Sequence, residues 1–116
     1  MKIILIDDKP HVRDSLKPML RKLSFRNEDI LEANCDQTAI QLIAAHEPDI
    51  IVTDAKLLLL SDSLLADTLY PQSKIIVTSS HEFVLDAFCR GGMDSLLKPI
   101  DTGELENVLL RVAAAV

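Results

Sequence analysis

Short aliphatic runs alternate with amphipathic segments along the whole chain. Residues 2–6 (KIILI), 49–53 (DIIVT) and 74–77 (KIIV) are apolar almost without interruption. Runs of this length and β-branched content read as strands buried on both faces. Residues 29–33 and 93–97 are more mixed and read as a second and a fifth strand. Between these runs the apolar period lengthens to that of a helix. Val12, Leu16, Leu20 and Leu23 recur at three- and four-residue spacing. Pro10 suits the first turn of that helix, where its missing N–H is harmless, and Pro18 predicts a kink within it. Residues 36–45 form a second helix with Ile40, Ile43 and Ala44 facing inward, ended by residues 46–48. Ala55–Leu60 reads as a loop leading into something apolar. Ser61 or Asp62 then caps a short third helix that reaches Leu69 and is broken by Pro71. Residues 82–90 form a fourth helix, ended by Gly91 and Gly92. Asp101 or Thr102 caps a fifth, whose apolar stripe is Leu105, Val108, Leu109 and Val112.

Five strand–helix pairs in regular alternation predict an α/β fold. The sheet is expected to be doubly wound, five-stranded and parallel, with helices on both faces and right-handed crossovers. The 116 residues suit one domain, and no internal repeat, linker or low-complexity tract divides them. Hydrophobic residues make up 48% and aromatics only 3%, so the core is aliphatic.

Charge narrows the function classes. The net charge is −6, from 12 basic and 18 acidic side chains, with no basic cluster. Direct nucleic-acid binding by this segment is therefore not expected. No run approaches the roughly 18 apolar residues of a membrane span, and no signal peptide is visible. Cys35 and Cys89 lie far apart without metal-ligand spacing, as expected of reduced thiols in a cytoplasmic protein. There is no glycine-rich phosphate loop, so a nucleotide-binding reading fails. His11, His46 and His81 show no ligand spacing.

The candidate chemistry lies at the strand ends. Asp7 and Asp8 follow the first apolar run, Asp54 the third, Thr78 the fourth, and Lys98 the fifth. In a parallel sheet these ends share one edge, where α/β sheets bind ligands. Taken alone, Asp7 and Asp8 are also ordinary helix-capping residues. With Asp54 added, like charges crowd one pocket and repel one another, and a divalent cation relieves that. Mg2+ prefers such a site, with oxygen ligands and few protein carboxylates. Lys98 precedes Pro99, where a cis peptide is permitted. An acceptor carboxylate beside a metal and an ammonium suits phosphoryl transfer.

These residues resemble the receiver domain of bacterial two-component response regulators, over essentially the whole chain. IILIDDKPHVRDSL is similar to that family's first strand, acidic pair and first helix. EPDIIVTD resembles the phosphoacceptor strand. TSSHEFVLDAFCRGGMDSLLKPID resembles the stretch from switch hydroxyl to lysine in regulators with LytTR-type output domains. The resemblance implies a flavodoxin-like receiver fold with strand order 2-1-3-4-5. It implies that Asp54 accepts a phosphoryl group from a phosphohistidine on a sensor histidine kinase or phosphotransfer protein. Asp8 would bind Mg2+ directly, with Asp7 helping directly or through water, and the backbone carbonyl of Lys56 would add another oxygen. Thr78, or Ser79 if the register differs by one, would hydrogen-bond the phosphate, and Lys98 would pair with it. The implied role is a cytoplasmic signalling switch rather than a turnover enzyme, acting on a downstream output domain or through a homodimer.

Three departures from the family pattern stand out. AKLLLLSDSLL replaces the usual Met-Pro and Gly after the acceptor, and the segment from Asp54 to Thr78 is short. Lys56 brings a cation two positions after the acceptor. Ser95 stands where the family commonly has a switching aromatic. The altered loop keeps open a second reading, a degenerate receiver that binds partners without phosphorylation. A magnesium-dependent phosphatase with an aspartyl nucleophile would want Asp-x-Asp after its first strand, whereas Asp7, Asp8 and Lys9 run consecutively.

Overall fold

The strands β1 (Ile3–Ile6), β2 (Ile30–Ala33), β3 (Ile50–Asp54), β4 (Lys74–Ser79) and β5 (Asp94–Leu97) form one sheet in the order β2-β1-β3-β4-β5. Every neighbouring pair is parallel. The computed structural model describes residues 1–60, 74–90 and 94–114. The expected third helix to Leu69, the break at Pro71 and the Gly91-Gly92 terminator lie outside the described residues.

Side-chain alternation explains why β1 is apolar throughout. Ile3 and Leu5 point to one face, where Leu16 and Leu20 of α1 (Pro10–Lys22) and Leu105, Val108, Leu109 and Val112 of α5 (Thr102–Ala114) cover them. Ile4 and Ile6 point to the other, against Ala39 and Ile43 of α2 (Asp36–His46). Further along that face, Val77 packs with Ala55 of α3 (Ala55–Leu60) and Leu85 of α4 (Glu82–Arg90). A strand covered on both faces has no polar side, which is why the central runs lack the alternation of a half-exposed sheet.

The element boundaries differ from the sequence expectation in a few places. A 3-10 turn at Asn27–Asp29 takes Asp29 out of β2. β3 runs on to Asp54 and β4 to Ser79, because their last polar residues still pair: Asp54 is in register with Thr78 and Ser79 with Leu97. α1 continues through Pro18, which lies on its exposed side. Asp14, whose carbonyl Pro18 cannot serve, is an exposed residue as well. Asp101 caps α5 as expected, its Oδ2 accepting the Glu104 N–H at 3.2 Å.

Ala55–Leu60, expected to be a loop, is helix α3, following Asp54 with no intervening residue. Leu57 and Leu58 are half-buried and pack on the α2 and α4 clusters, so burial of these side chains draws the segment onto the sheet.

Candidate functional site

Backbone pairing brings the site together at the C-terminal edge of the sheet. The Asp7 N–H donates to the Ala33 carbonyl at 3.1 Å, extending the β1–β2 ladder one residue past Ile6. Ile6 is in register with Thr53, so Asp7 and Asp54, the residues that follow, stand at the same level on adjacent strands. Asp54 is in turn in register with Thr78, which puts both side chains on the same side of the sheet. The Lys98 N–H donates to the Ser79 carbonyl at 2.8 Å, tying the end of β5 to the end of β4. The Lys98–Pro99 peptide is cis.

Carboxylate oxygens of Asp7, Asp8 and Asp54 all lie within 4.8 Å of one another. Asp7 and Asp54 are buried, and Asp8 is exposed. The Lys98 Nζ donates to Asp7 Oδ2 at 2.8 Å and lies 3.5 Å from Asp54 Oδ1, with only 13% of its side chain exposed. The other Asp7 oxygen accepts the Lys9 N–H at 2.9 Å. Neither aspartate caps α1: its N-cap is Lys9, which makes no side-chain cap bond. Thr78 is buried, and its hydroxyl donates to the Thr53 carbonyl at the long distance of 3.5 Å. Ser79 Oγ accepts the His81 N–H at 3.0 Å. Thr78 is therefore weakly held beside Asp54, while Ser79 is committed to the turn into α4.

The donor set fits a hard divalent cation. All donors are oxygen, and Asp8 opens to solvent, where retained waters complete a shell. Ligands of an octahedral Mg2+ stand at most about 4.2 Å apart, so the 4.8 Å spread closes with a small side-chain movement or one bridging water. Lys56 lies in the first turn of α3. Its side chain reaches the site, the Nζ standing 3.8 Å from Asp8 Oδ2. Sequence reading noted this cation near the acceptor but not its pairing with Asp8, which depends on α3 starting at Ala55.

The remaining candidates stand apart from the cluster. The His81 ring sits 5.6 Å from that of Phe83, at a 43° tilt. Ser95 is in register with Val77, on the far side of β4 from the acidic residues. Cys35 is a free thiol 3.3 Å from the Thr38 hydroxyl, and the Cys89 side chain lies outside the described residues.

Comparison with known proteins agrees with this fold. An uncharacterized response regulatory protein of Vibrio cholerae is 30% identical over 108 residues, 90% of this chain and 41% of that protein. A two-component transcriptional regulator AraC from Clostridium phytofermentans superposes with a TM-score of 0.80 at 25% identity, over 100% of this chain and 94% of the solved one. The receiver domain of the sensor histidine kinase PA1611 from Pseudomonas aeruginosa, solved with a magnesium ion in its active-site cleft, has the same fold (TM-score 0.77, 23% identity, 97% of each chain). The chain spans less than half the length of the curated relatives it matches. Among the described residues no helix is long and apolar enough to cross a membrane. Residues 3–110 match the response regulator receiver domain, and the chain belongs to that family.

Proposed function

We propose that residues 1–116 are one phosphoacceptor receiver domain in which Asp54 is the acceptor. The observation that carries this is the convergence of Asp7, Asp8, Asp54, Thr78 and Lys98 from four strand ends onto one edge. An Asp54 carboxylate oxygen attacks the phosphorus of a phosphohistidine on a kinase or phosphotransfer protein. The O–P bond forms, the P–N bond breaks, and the departing imidazole takes a proton from solvent. Asp7, Asp8 and Asp54 would hold Mg2+, which supplies positive charge to the transferring phosphoryl oxygens. Lys98 is already at hydrogen-bond distance from Asp7 and beside Asp54, so its ammonium is in place to pair with the new phosphate without a large movement. Thr78 exchanges its long bond to the Thr53 carbonyl for a phosphate oxygen.

The protein is then a switch rather than a turnover enzyme, and its chemistry is confined to gaining and losing one phosphoryl group. The reading places it in the cytoplasm, with a kinase as upstream partner and an output domain or a second copy downstream. The direct passage of β3 into α3 favours a second reading, an interaction module that works without phosphorylation. Treatment with a small phosphodonor and Mg2+, followed by reduction and peptide mapping, separates the two. Modification at Asp54 supports the first and its absence supports the second.

A further inference from the structure

Among the described residues, two ammonium groups reach the acidic cleft. Lys98 serves Asp7 and Asp54, and Lys56 serves Asp8, the exposed member of the cluster. Each of the three carboxylates that suit a divalent cation thus already faces a lysine. The second lysine is held there by the fold. α3 begins at the residue after Asp54, so Lys56 is anchored in a helical turn fixed to the end of β3. From that turn the Lys56 side chain brings a positive charge to the cleft.

We propose that Lys56 is a tethered competitor for the divalent cation. It rests on Asp8 while the cleft is free of metal, and metal entry requires its ammonium to swing out. This inference rests on the receiver reading and adds a control on its metal site. The Lys56 and Asp8 side chains are 61% and 37% exposed, so the competition is weak and reversible. An exposed charge pair at this separation is worth roughly two- to fivefold in an equilibrium constant at low salt. Displacing Lys56 therefore raises the metal concentration at which the cleft fills, without closing it.

Calorimetric titration of the chain with MgCl2 at low ionic strength tests this with four proteins: wild type, Lys56→Gln, Lys56→Arg and Asp8→Asn. Urea unfolding checks that each is folded. Lys56→Gln should bind Mg2+ roughly two- to fivefold more tightly, and Lys56→Arg should match wild type. Equal or weaker binding by Lys56→Gln, or tighter binding by Lys56→Arg as well, overturns the competition. Loss of binding in Asp8→Asn with no change in Lys56→Gln leaves the metal site standing and removes only the role of Lys56. Wild-type binding by Asp8→Asn removes the metal site itself, and the competition with it.

Discussion

The Lys98 ammonium donates to Asp7 at 2.8 Å across 91 positions of chain. Both side chains are largely buried, and the same ammonium lies 3.5 Å from Asp54. Lys98 is thus the counter-charge of the cleft as well as a reactive group. Replacing it by Met keeps the apolar stem and leaves two buried carboxylates side by side. Breaking a fully buried pair costs about 3–5 kcal/mol, and this cleft edge should show about 1–3 kcal/mol. Urea unfolding of Lys98→Met should show that loss, and added Mg2+ should recover part of it by neutralising the same carboxylates. An unchanged midpoint would mean that the pair carries no stability.

Phosphorylation at Asp54 should be felt through β4 and β5. Thr78 is the penultimate residue of β4, Lys98 directly follows β5, and the Lys98 N–H is bonded to the Ser79 carbonyl, so a phosphate that draws on both residues pulls on one connected edge. The output surface would then be the face built by α4, β5 and α5, where Leu97 of β5 is exposed. With Ser95 in place of an aromatic, backbone movement around residues 78–80 carries more of the change. Amide exchange with and without beryllofluoride should alter protection in residues 78–90 and 93–105. Changes confined to residues 55–69 would send the signal through α3 instead.

Much of this was legible from residue pattern, and the exceptions have physical causes. The strand ends announced themselves because each buried run stops at a charged or hydroxyl residue: Asp7, Asp54, Thr78, Lys98. The parallel order follows from alternation with helices. α3 was not legible, because AKLLLL has neither a two-residue nor a helical period, and no turn residue separates it from Asp54. Missing α3 meant missing that the Lys56 ammonium meets Asp8.

Cys35 offers a pH test of local structure away from the cleft. The side-chain hydrogen bond from Thr38 is the main cause that holds its thiol below the ordinary range, with the Thr38 and Gln37 amides adding to it. A lowered value means that thiolate, the reactive form, is present at lower pH than for an ordinary cysteine. The pH profile of Cys35 alkylation, followed by peptide mapping, should therefore move to higher pH in Thr38→Val. An unmoved profile would show that the hydroxyl does not hold the thiolate.

The most direct test of the proposed chemistry is the intact mass of the chain after incubation with a small phosphodonor, with Mg2+ or with a chelator. Wild type with Mg2+ should gain one phosphoryl mass, and wild type with chelator far less. Asp54→Asn should gain none, because the nucleophilic oxygen is gone while the rest of the cleft remains. No gain by wild type, under conditions that label another receiver domain in the same experiment, would contradict phosphoacceptance at Asp54 and leave an interaction module. A gain that persists in Asp54→Asn would place the acceptor elsewhere.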